Sequence, residues 1–115
     1  MALPQRRGRA GEALAAAYFE LLGGTVLERN TRLAGVEVDL VVSEGDARVI
    51  VEVKLRSRSD FGGAALAVDA AKRARLVRAA RVLEHGGRPV RIDVVAIEPV
   101  DDGLVMRHYR NAVHE

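Results

Sequence analysis

Asp39, Glu52 and Lys54 are the residues of this 115-residue chain whose types and spacing could do chemistry. With Glu37, they interrupt two apolar runs, VEVDLVV and ARVIVEVKLR, on either side of Ser43-Glu44-Gly45-Asp46. An unpaired charge is costly to bury, so their place inside strand-like segments asks for a reason. Two neighbouring carboxylates can grip one small hard cation such as Mg²⁺, which completes its shell with waters and substrate phosphate oxygens. A lysine aimed at the same phosphate could orient or deprotonate a water, or stabilise developing charge. The chemistry these three types could support together is that of a divalent ion held against substrate phosphate oxygens. The alternative is an exposed strand face carrying a Glu–Lys pair.

The elements that would position them follow from periodicity and punctuation. Pro4 to Leu22 reads as a helix with Gly11, Leu14, Ala15, Tyr18 and Leu22 on one stripe, stopped by Gly23-Gly24. Thr25 to Arg32 reads as a strand, and Val36 to Val42 with Ala47 to Arg56 as a hairpin. Ser57 to Gly63 is a polar loop, and Asp69 caps a helix running to about His85. Val90 to Glu98 and Leu104 to Arg110 are two further strands around an Asp101-Asp102-Gly103 turn. The order predicts one α/β domain over residues 1–115, helices packed on a mixed sheet.

With Ser43 to Asp46 as the hairpin loop, Val42 pairs with Ala47, Leu40 with Val49, Val38 with Val51 and Val36 with Val53. That face is wholly apolar. The other pairs Val41 with Arg48, Asp39 with Ile50, Glu37 with Glu52 and Gly35 with Lys54. A one-residue slip would mix the faces, so it is disfavoured. In this register Glu37 opposes Glu52 at ~5 Å, and Asp39 lies diagonal to Glu52 at ~7 Å or less.

Composition narrows the class. There is no cysteine, which excludes a disulfide framework, a thiolate metal site and a cysteine nucleophile. No apolar segment follows the basic residues of MALPQRRGRA, and no run reaches transmembrane length, so a cytoplasmic protein with no membrane partner is expected. The net charge is only +2, but its distribution is uneven. Lys72, Arg73, Arg75, Arg78, Arg81, Arg88 and Arg91 face a single acid, Glu84, between Ala70 and Arg91. Arg6, Arg7 and Arg9 cluster near the start, and Arg56 and Arg58 follow the second run. Arginine suits bidentate phosphate contact, and the start of the second helix also favours anions. Lys72, Arg73, Arg75, Arg56, Arg58, Arg6, Arg7 and Arg9 are therefore candidate contacts to a nucleic-acid backbone. With two Phe and two Tyr as the only aromatics, single-strand stacking has little material, so double-stranded or branched DNA is the better partner. Arg91 and Asp93 read as a structural ion pair, and the three histidines as too scattered for a metal site.

Asp39, twelve intervening residues and Glu52-Val53-Lys54 together resemble the D…(D/E)-x-K signature of the PD-(D/E)XK, or restriction-endonuclease-like, nucleases. That spacing alone is weak. The wider set GRAGEALAAAYFELLGG, ERNTRLAGVEVDLV, VIVEVKLRSRSDFGG, AVDAAKRARLVRAA, VRIDVVAI and HYRNAV resembles the YraN-like family of small bacterial proteins over nearly the whole chain. The resemblance implies a restriction-endonuclease-like fold similar to archaeal Holliday-junction resolvases. It implies Asp39 and Glu52 as ligands of Mg²⁺ or Mn²⁺, Lys54 as the motif lysine, and Glu12 as a helical acid completing the site. Glu37 belongs to the matching strand segment, in which Val36 stands where a second glycine is usual. The implied activity is a structure-selective DNA endonuclease, and its rival is a non-catalytic nucleic-acid binder on the same fold. A homodimer would suit paired scissile phosphates in branched DNA.

Overall fold

The computed structural model describes residues 2–56 and 69–114, with side chains from Gly8 onward. The described residues form two helices and five strands: α1 (Ala2–Leu21), β1 (Thr25–Leu33), β2 (Val36–Glu44), β3 (Ala47–Leu55), α2 (Ala70–Glu84), β4 (Val90–Val100) and β5 (Gly103–Tyr109). The strands lie in chain order in one open sheet. Three neighbouring pairs are antiparallel, and only β3 and β4 are parallel. A parallel pair needs a crossover, and α2 lies in that connection. The α/β class and the element order expected from sequence are borne out.

Each face of the sheet buries its own core. Ala15, Ala16 and Phe19 of α1 pack on Leu40, Val42, Val49, Val51, Val95 and Ile97. Leu76, Ala79 and Ala80 of α2 pack on Val41, Ile50, Ile92 and Val94. The α1 stripe is rotated from the expected one: Leu14 and Leu22 are exposed, whereas Ala16 and Phe19 are buried. A Cβ on Gly11 would meet Leu55 Cδ2 at 2.8 Å, so glycine there lets the helix settle close to the sheet.

Two hairpin turns set the geometry of β2. Leu33 pairs with Val36 across Ala34 and Gly35, both at positive φ, as a two-residue turn requires. Val36 lies beyond that turn, buried in the α2 cluster, and its side chain is not asked to adopt the left-handed region. At the other end Glu44 pairs with Ala47, leaving Gly45 (φ 57°) and Asp46 as the loop.

The β2–β3 register therefore differs from the expected one by two residues: Leu40 pairs with Val51, not with Val49. A slip of two keeps every side chain on its face, so hydrophobic pattern cannot distinguish the registers. The preference of a tight hairpin for glycine at its first central position does. The pairing also ends at Leu40–Val51, whereas β2 stays paired with β1 through Val36. Strands β2 and β3 part at Asp39. Beyond this point Val36 and Val38, which strict alternation from Leu40 would send to α1, join the α2 cluster instead.

Candidate functional site

The parting of β2 from β3 opens a cavity of about 380 Å³ on the α2 side. Arg32, Gly35, Val36, Glu37, Asp39, Glu52, Lys72, Arg75 and Leu76 line it. Asp39 stands where the ladder stops, and its Oδ2 accepts the Val53 N–H at 2.8 Å. A side chain thus satisfies a backbone donor that β2 no longer pairs, and the bond fixes the carboxyl beside Glu52. Glu52 is 6% exposed, and by alternation from Ile50 it faces α2.

Burial pushes the Asp39 carboxyl up to about 7 from an ordinary 3.8, against the lowering effect of the Val53 N–H. The charges of Glu52 and Glu12, and a hydrogen bond with the Glu52 carboxyl, push the same way. Asp39 and Glu52 are in contact, as expected, although the register that brings them together differs. The face-to-face Glu37–Glu52 pair is not formed. Glu37 pairs with Arg32 on β1 and is exposed at the cavity's edge. Glu12 reaches Asp39 by its charge without lining the cavity.

Lys72 lines the cavity where the sequence suggests Lys54. Lys54 is half-buried on β3 and is not among the residues lining the cavity. Lys72 instead lines the cavity and forms an ion pair through its Nζ with Glu52 Oε2. Asp69 caps α2 as expected, its Oδ1 accepting the Lys72 N–H at 2.8 Å, and so fixes the backbone from which Lys72 reaches the sheet. From the sequence alone Lys72 reads as a contact to a phosphate backbone. Its contact with Glu52 joins residues twenty positions apart on different elements, and no local pattern announces it.

The candidate backbone contacts divide. Arg9, Arg73 and Arg75 are exposed, and Arg75 also borders the cavity. Arg56 is only 9% exposed, with its backbone N–H donated to Ile97 O at 2.9 Å, so it does not stand ready on the surface. Arg58 and the side chains of Arg6 and Arg7 lie outside the described residues. Arg32, which no motif singled out, adds a cation at the cavity's edge.

A second polar cluster lies on the α1 side. Asp93 is fully buried and accepts from Arg91 Nε at 3.0 Å, Arg91 Nη2 at 3.2 Å and the Asn111 N–H at 2.9 Å. His108 Nε2 lies 2.7 Å from the same carboxylate, and its Nδ1 lies 2.8 Å from the Tyr18 hydroxyl. The Nε2–H tautomer satisfies both contacts. Arg91 also donates to Glu44 at 2.6 Å. Burial opposes charge on Arg91, but hydrogen bonds to Asp93 and Glu44, with their attraction, hold it above its ordinary value. The expected Arg91–Asp93 pair is present. The histidine that completes it was not expected, since Tyr18 and His108 are 90 positions apart.

The fold and this cavity define an α/β protein with a carboxylate pair at the split of a mixed sheet. A profile of the uncharacterised protein family UPF0102 matches residues 11–97, and the chain belongs to that family, the YraN family its motifs resemble. It is 43% identical over 112 residues to a UPF0102 protein of Janthinobacterium sp. (strain Marseille), covering 95% of this chain and 88% of the relative. It is 39% identical over 117 residues to UPF0102 protein STH1475 of Symbiobacterium thermophilum, covering 97% and 99%. Placement among the restriction-endonuclease-like proteins is consistent with this family. Among the described residues no helix is long and apolar enough to cross a membrane.

Proposed function

We propose that this chain is a divalent-metal-dependent, structure-selective endonuclease acting on double-stranded or branched DNA in the cytoplasm. The observation that carries this reading is the contact of Asp39 with Glu52 in a cavity edged by Arg32, Lys72 and Arg75. Carboxyl groups pushed together out of water are costly unless a cation visits them.

The donor set fits a small hard ion. Among the described residues there is no group of three or more His, Cys, Asp or Glu that could hold a metal. Mg²⁺ and Mn²⁺ do not need one, because they are commonly held by one or two carboxylates, waters and substrate phosphate. Asp39 and Glu52 would hold the ion, which supplies an acidified water and charge neutralisation on the phosphate. The Val53 N–H keeps Asp39 oriented before anything binds. Glu12 and Glu37 add negative charge that attracts the cation, and Glu12 is close enough to act on Asp39. Lys54 remains a candidate for orienting water or substrate from the same strand. Arg9, Arg73 and Arg75 would contact the backbone without reading sequence. A twofold pair of chains would present two such sites to a branched substrate.

The rival is a nucleic-acid binder without catalysis, favoured by the Glu52–Lys72 pair, which already neutralises one carboxylate. One experiment separates them. Asp39→Asn should abolish Mn²⁺-dependent cleavage of duplex or branched DNA while leaving affinity equal or slightly higher. Arg73→Ala with Arg75→Ala should weaken binding and lower the salt slope by about two, close to one per lost phosphate contact. Cleavage by Asp39→Asn at the wild-type rate would remove the site, and binding by all proteins with cleavage by none would select the rival.

A further inference from the structure

We infer that Lys72 is the resident counter-ion of the carboxylate pair: it holds the place of the divalent ion in the free protein and is released toward the substrate phosphate when that ion binds. The inference rests on the metal-site reading above and adds to it a residue that competes with the metal.

The geometry carries it in three steps. Glu52 is buried with its Oε2 on the Lys72 ammonium, while Asp39, touching Glu52, is held only by the Val53 N–H and the Glu52 carboxyl among the contacts of the described residues. The pair thus carries one compensating positive charge where its two carboxylates, fully ionised, would need two. A divalent ion supplies both, so it outcompetes a single ammonium once it enters. Lysine suits this exchange. Its charge is compact and sits on a flexible four-carbon stem, so the ammonium can leave a carboxylate without moving the helix.

The destination is also defined. Lys72 is half-buried and borders the same cavity as Arg75, one turn further along α2, and Arg32, across the cavity on β1. A phosphodiester entering there meets three cations at its edge and the carboxylates behind them. Once detached from Glu52, the Lys72 ammonium has a phosphate oxygen as its nearest new partner. Lys54, outside the cavity lining, does not have this choice. Metal and phosphate then promote each other's binding, and the coupling is reciprocal.

The test is calorimetric titration of Mn²⁺ into the full chain without nucleic acid, for wild type, Lys72→Met, Lys72→Arg and Asp39→Asn. Lys72→Met keeps the apolar stem and removes the charge, so it should bind Mn²⁺ about tenfold more tightly than wild type, equivalent to about 1.4 kcal/mol for the lost competing ion pair. Lys72→Arg, which keeps the charge, should stay near wild type, and Asp39→Asn should lose binding. Adding a short duplex should tighten Mn²⁺ binding by wild type more than by Lys72→Met. Circular dichroism reports folding, with Lys72→Gln replacing the Met variant should that one not fold. Equal or weaker Mn²⁺ binding by Lys72→Met, with Asp39→Asn still defective, overturns the role of Lys72 and leaves the metal site standing. Absence of Mn²⁺ binding in every protein overturns both.

Discussion

Asp93, fully buried, and Asp39, half-buried, are carboxylates of the same sheet, one on each face, and their surroundings are opposite in sign. Asp93 meets an arginine fork, a histidine N–H and a backbone N–H. Asp39 meets Glu52 and Glu12, with one backbone N–H in its favour. The first cluster ties α1, the β2 hairpin end, β4 and β5 into one unit, through Tyr18, Glu44, Asp93 and His108. The second stands at the rim of an open cavity and leaves its like charges to be neutralised from outside. Buried polar groups that are fully paired serve the fold. Groups that are buried and opposed are kept at a cost to stability, and such costs concentrate where function demands them.

The largest expected effect tests the paired cluster. Asp93→Ala takes the buried carboxylate from His108 and leaves Arg91 with Glu44, and breaking one side of a buried pair costs about 3–5 kcal/mol. Against a total of roughly 5–15 kcal/mol for a native domain, urea denaturation should show a protein near the edge of unfolding. An unchanged urea midpoint would dissolve the contrast between the two faces. A milder break is Tyr18→Phe, which removes only the hydroxyl against His108 Nδ1. Its cost should be about 1 kcal/mol, the net worth of one such hydrogen bond.

Asp39→Asn should move stability the other way. Asparagine keeps an oxygen for the Val53 N–H and removes the repulsion from Glu52 and Glu12. At pH 8 the variant should gain on the order of 1 kcal/mol after allowance for solvent screening, read from the same urea midpoint. A loss of stability would show that the carboxylate is a structural group like Asp93.

The smallest effect is the pH dependence of that gain. Asp39 titrates at about 7 when folded and near 3.8 ordinarily, so between those values the folded chain binds more protons than the unfolded one. Its contribution to stability is complete below about pH 4 and declines as pH rises to about 7. The advantage of Asp39→Asn should therefore be smaller at pH 5 than at pH 8, measured without divalent ions. Adding Mn²⁺ should stabilise the wild type more at pH 8 than at pH 5, because at pH 5 the metal must first displace a proton from Asp39.

Much of this architecture was written locally. Alternation placed Asp39 and Glu52 with Val41 and Ile50 on one face, and a slip of two residues could not undo that, because strand side chains repeat every two positions. Asp69 announced the start of α2 by its own chemistry, a short carboxylate that accepts a free helix N–H. What the tertiary structure alone decided concerns contacts between elements. The turn at Gly45, a local signal, chose the β2–β3 register, whereas the stripe of α1 was settled by how Ala15, Ala16 and Phe19 pack on the sheet. The rotation of α2 delivered Lys72, and not Lys54, to Glu52, while the sheet order brought His108 to Tyr18 across most of the chain. The physical reason is common to these last three. Period and capping act over a few residues of backbone, whereas the partner of a buried charge is set by how the faces of distant elements pack.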